Sequence, residues 1–94
     1  MTQVAAAPAV ARRPRIVSPV AGSVYALDPD IPIERQRMAI SVSGEMIGHR
    51  LTLDGRDLGV ADARPMVLAG PGRHQLRLVA PGGRVVDQVV FTVR

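Results

Sequence analysis

The chain has 94 residues, twelve basic and eight acidic side chains for a net charge of +4, 47% hydrophobic residues and no cysteine. That length holds one domain with one core. The missing cysteines exclude disulfides, thiolate metal sites and thiol nucleophiles. No apolar run reaches the roughly 18 residues needed to span a bilayer, and Met1 is not followed by a basic and then continuously apolar signal segment. Every basic residue is arginine, scattered apart from Arg12, Arg13 and Arg15, and the only aromatic rings are Tyr25 and Phe91. A nucleic-acid reader concentrates its arginines on one face and interleaves stacking rings, so no nucleic-acid partner is expected.

Residues 1–14, MTQVAAAPAVARRP, are rich in Ala and Pro without a period that would bury one face, and read as a linker or disordered tail. From residue 15 to residue 94 short β-like runs alternate with Gly, Pro and Asp at intervals of roughly ten residues. The first runs are Arg15 to Val17, closed by Pro19 and Gly22, and Ser23 to Leu27, closed by Asp28 and Pro29. Gln36 to Ser43 alternates: Met38, Ile40 and Val42 face one side, and Arg37, Ala39, Ser41 and Ser43 the other, which predicts a half-buried strand. Arg50 to Leu53, with Leu51 and Leu53 inward, leads through Asp54 and Gly55, a positive-φ hairpin signal, into Leu58 to Ala61. Pro65 to Leu68 predicts a further short strand. After Gly70, Pro71 and Gly72 comes Arg73 to Ala80, alternating at His74, Leu76 and Leu78. Pro81 to Gly83 turns the chain into Arg84 to Arg94, with Val85, Val89, Phe91 and Val93 expected in the core and Asp87 beside a strand irregularity. The reading is all-β: an immunoglobulin-like antiparallel β-sandwich of about seven strands.

The segment YALDPDIPIERQRMAI, from Tyr25 to Ile40, resembles a signature of the C-terminal domain of bifunctional class A penicillin-binding proteins of the 1C type. Agreement extends to the opening PRIVSPVAGSVY, to Leu53, Asp54, Gly55, Leu58 and Gly59, and to PGRHQLRLVAPGGRVVDQVVFTV from Pro71 to Val93. Leu51 and Met66 stand about where relatives often carry tryptophan, so stacking of sugars on such rings is not expected. The resemblance implies a periplasmic domain of a parent anchored in the bacterial inner membrane, whose other domains are a peptidoglycan glycosyltransferase and a transpeptidase. This chain lacks the S-x-x-K and K-T-G motifs of penicillin-binding serine enzymes, so no acylation is expected on it.

Candidate sites are few. Asp28, Asp30 and Glu34 gather three carboxylates in a Pro-stiffened loop, hard oxygen donors of the kind calcium takes, but without EF-hand spacing. Asx-type turn bonds, or pairing with Arg35 and Arg37, account better for Asp28 and Asp30. The binding candidates are therefore Tyr25, Asp28, Asp30, Glu34, Arg35 and Arg37, on a loop that can contact a neighbouring domain. The Arg64 to Arg73 region is a second candidate surface. His74, at a strand start, is expected to be packed or bonded to a turn, and His49, in a Gly-flanked loop, to be solvated. No spacing brings a nucleophile, a base and an oxyanion donor together, so catalysis, a metal and a cofactor are not expected. The function that follows is a non-catalytic accessory or interaction domain of a bifunctional penicillin-binding protein acting in cell-wall synthesis. Its expected partners are the parent's catalytic domains or an envelope protein, without direct membrane insertion. The alternative is a module that binds peptidoglycan or another carbohydrate.

Overall fold

The computed structural model describes residues 13–94, so the linker expected over 1–14 lies, for residues 1–12, outside the described residues. Alternating apolar residues between Gly, Pro and Asp turns form β1 (Arg15–Ser18), β2 (Val24–Tyr25), β3 (Met38–Ala39), β4 (Ser41–Ser43), β5 (Arg50–Leu53), β6 (Arg56–Val60), β7 (Met66–Val67), β8 (Gly72–Val79) and β9 (Val85–Val93). Single turns of 3₁₀ helix occupy Ile33–Arg35 and Ala61–Ala63.

The principal sheet has the order β2-β9-β8-β5-β6. It is antiparallel except where β2 runs parallel to β9. The second layer is made of the antiparallel pairs β1–β4 and β3–β7. The chain leaves that layer after β1 and joins the edge of the principal sheet as β2, which gives β2 its parallel direction. The result is the expected immunoglobulin-like sandwich. Leu51, Leu76, Leu78, Val89, Phe91 and Val93 point from the principal sheet into the core, where Ile16, Ile40, Val67 and Ala69 meet them.

Three expectations are corrected. Gln36 to Ser43 does not form one strand, because Met38–Ala39 pairs with β7 and Ser41–Ser43 with β1. Ile40 between them gives its N–H to Pro65 C=O at 3.2 Å. This division, and the short β2 and β7, yield nine strands among the described residues rather than about seven. The inward side of the segment is nonetheless as expected, with Ile40 buried and Met38 and Val42 half-buried. Val85 is not in the core but 43% exposed. Leu78 pairs with Asp87 and Val79 with Val85, so Val86 is an extra residue and the alternation changes phase there. That bulge is the irregularity expected beside Asp87. It lets the Asp87 carboxylate accept the Ile16 N–H at 2.8 Å and the Gln88 N–H at 2.8 Å, tying β1 to β9. Last, Ala61 belongs to a 3₁₀ turn rather than a strand.

The β5–β6 hairpin turns on Asp54 and Gly55, whose φ values of 51° and 86° are those of a type I′ turn. β6 is one edge of the principal sheet, and it is interrupted. Leu51 pairs with Gly59 and Thr52 with Asp57, leaving Leu58 as a bulge beside Gly59, which has φ 103°. The Asp57 carboxylate accepts the Gly59 N–H at 2.9 Å and the Arg50 guanidinium at 2.7 Å. Charge and a bulge together make this edge a poor template for another strand.

Leu76 has no exposed surface and lies at the middle of the longest hairpin. Leu76→Ala is expected to cost about 2–5 kcal/mol, a large part of the stability of so small a domain. Urea unfolding followed by far-ultraviolet circular dichroism measures it, and a midpoint within error of the parent chain's would contradict the packing described.

Candidate functional site

The loop between β2 and β3 is built around a side chain that the sequence reading assigned only to a strand. Gln36 Oε1 accepts the Asp28 N–H at 2.7 Å, and its Nε2 donates to Asp28 C=O at 2.9 Å and to Ile31 C=O at 2.7 Å. Asp28 Oδ1 accepts the Asp30 N–H at 2.9 Å, the Asx turn expected from its position. The alternative, pairing of Asp28 or Asp30 with Arg35 or Arg37, does not occur. Asp30 and Glu34 are exposed, and the described residues bring no group of three carboxylates or histidines together.

This loop closes one side of a groove of about 530 Å³ between the β2 edge and β3. Tyr25, Leu27, Ile31 and Met38 line it, with Arg35 and Arg37 beside them. Three of the six candidate residues, Tyr25, Arg35 and Arg37, thus come together, while Asp28, Asp30 and Glu34 lie on the loop outside the lining. Arg35 and Arg37 are exposed and have no carboxylate or carbonyl partner among the described residues. Arg50, in contrast, is paired with Asp57 at 2.7 Å. Tyr25 is the one ring in the lining of this groove. It is half-buried and meets Phe91 edge-on, with centroids 6.1 Å apart and planes at 88°. A second concavity, of about 870 Å³, runs along β1 and β9. Arg13 and Arg15 line it, and its carboxylate, Asp87, is committed to backbone N–H groups.

Across Phe91 from Tyr25 lies a polar cluster. The His74 ring is tilted over Phe91 with centroids 5.5 Å apart. Its Nδ1 is 2.7 Å from Asp54 Oδ2 and its Nε2 is 2.6 Å from Gly70 C=O. Both neighbours are acceptors, and a neutral imidazole has one N–H, so only the imidazolium satisfies both contacts. The hydrogen bond to Asp54 is the main reason that the His74 pKa is raised; desolvation opposes it and Gly70 C=O assists. Asp54 is correspondingly held below the usual carboxylate range, first by His74, then by the Gln75 N–H at 2.8 Å, with a smaller contribution from Arg56. His74 is packed and bonded as expected. Its partner Asp54 was legible only as a turn residue, because nothing in the spacing of twenty residues announces a contact. His49 departs from expectation: it is half-buried, its Nδ1 lies 3.2 Å from Ile47 C=O, and its C=O accepts the Ala61 N–H at 2.9 Å.

A model of the Penicillin-Binding Protein C-terminus Family matches residues 4–91. The chain belongs to that family. This penicillin-binding-protein C-terminal domain is therefore a domain of the cell envelope, and among its described residues no helix is long and apolar enough to cross a membrane. No curated protein matches the chain. Among solved structures, the fibronectin(III)-like modules of CbhA from Clostridium thermocellum are similar, with a TM-score of 0.60 over 86% of this chain and 95% of that one. At 16% identity that likeness shows the fold.

The His74–Asp54 pair makes stability depend on pH. The raised His74 pKa contributes stability that is complete below its ordinary value of 6.5 and is lost as pH rises through the folded value above it. The lowered Asp54 pKa contributes stability that is present above 3.8 and lost as pH falls through its folded value. The domain is thus expected to resist urea better at about pH 5.5 than at about pH 8.5. His74→Gln should flatten that difference, and an unchanged pH slope in H74Q would remove the assignment.

Proposed function

We infer that this domain is a non-catalytic accessory module of a bifunctional penicillin-binding protein, and that it works in the periplasm by docking on protein. The supporting observation is how its polar side chains are used. Asp54, Asp57 and Asp87 bind strands and turns to one another, with His74 tied to Asp54, and Arg35 and Arg37 border an open groove rather than a nucleophile. Membership of a penicillin-binding-protein family supports a parent with peptidoglycan glycosyltransferase and transpeptidase domains. The glycan-binding alternative calls for an aromatic platform, and Tyr25, half-buried and packed against Phe91, is the one ring lining this groove.

Quantitative pull-down of the chain against the parent's catalytic domains and, separately, against purified murein sacculi tests the reading at two salt concentrations. Retention by the catalytic domains with none on sacculi is the expected result. Salt-resistant retention on sacculi alone would replace it with the carbohydrate-binding reading.

A further inference from the structure

The outer edge of β2 has unused backbone. The parallel ladder to β9 uses alternate residues: Thr92 N–H donates to Ser23 C=O at 3.0 Å, Arg94 N–H to Tyr25 C=O at 2.8 Å, and Leu27 N–H to Arg94 C=O at 2.8 Å. The two-residue period of a strand turns the N–H and C=O of Val24 and Ala26 the other way. Both residues are exposed, and no described residue bonds those groups. Here the two edges of the principal sheet differ. β6 is guarded by Arg56, Asp57 and a bulge, whereas β2 carries no charged side chain and no bulge. Beside Ala26 runs the groove lined by Leu27, Met38 and Val93, with unpaired Arg35 and Arg37 alongside.

We propose that the β2 edge and this groove receive an extended segment of a partner protein whose groove-facing side, every second residue, carries both aliphatic side chains and carboxylates. The proposal rests on the docking reading above and names the chemistry of what docks. Val24 and Ala26 extend the ladder to the incoming backbone, and every second side chain of the guest turns to the groove, the aliphatic ones against Leu27 and Met38 and the acidic ones against the guanidinium groups of Arg35 and Arg37. Charge selects the occupant. The charged side chains lining the groove are both arginines. Residues 1–12 hold no carboxylate and one arginine, so the chain's own N-terminal segment does not supply the complement.

The test is a titration of the isotope-labelled chain with a short peptide in which Val and Glu take turns at every second position with Thr between them, and with the same peptide carrying Lys in place of Glu. Amide shifts and hydrogen exchange are read together. The expected result is binding of the Glu peptide alone, new protection at the Val24 and Ala26 amides, and affinity about tenfold weaker or worse in R35E/R37E. Both arginines are exposed, so unchanged β8 and β9 amide signals verify that the double variant is folded. Equal binding of the Lys peptide, full affinity in R35E/R37E, protection elsewhere, or no binding of either peptide would overturn the proposal. Concentration-dependent protection of the same amides without peptide would assign the edge to a second copy and overturn it too. Loss of peptide binding alongside retained binding to the catalytic domains would sink only this inference. The converse pattern would sink only the docking partner named above.

Discussion

Phe91 is the side chain on which the rest of this domain turns. It is 1% exposed in the last third of β9, and two other rings touch it: Tyr25 from the groove and His74 from the paired position on β8. Aromatic rings bring a large buried area in one rigid body. A chain with a single Phe and no Trp has nowhere else to find it. The aliphatic core residues fill the space around that ring, and the orientation of the groove's only aromatic wall is inherited from it.

With so little aromatic area, polar groups take over work that packing does in larger sandwiches. Asp87 joins β1 to β9, Asp54 joins the β5–β6 turn to β8, Asp57 closes the β6 bulge, and Gln36 holds the β2–β3 loop. In each case a side chain satisfies backbone groups that no ladder reaches; the Asp87 bond to Ile16 is part-buried, where an unpaired N–H costs most, and the others are exposed. The exposed ion pair of Arg50 and Asp57 contributes little by itself, since solvent screens it. Its position on an edge strand is more consequential than its energy.

The two edges of the principal sheet therefore serve different ends. β6 is bent and charged, which discourages pairing. β2 is short, uncharged and bordered by an apolar groove with two free guanidinium groups. Such an asymmetry is what the proposed guest strand requires: one edge closed to pairing and one left open.

The residues themselves carried the fold class, the hairpin at Asp54 and Gly55, the inward positions of Leu51, Leu76, Leu78 and Phe91, and the family, because alternation and turn chemistry are local and a long uncommon segment is specific. Tertiary structure decided the division of Gln36 to Ser43, since the change of partner at Ile40 is a property of two other strands. It also decided the exposure of Val85, the pairing of His74 with Asp54, and the assembly of Tyr25, Arg35 and Arg37 into one groove without the carboxylates between them. Those outcomes depend on bulges, side-chain bonds and strand neighbours distant in sequence. A period of two can say which way a side chain faces, but not what stands opposite it.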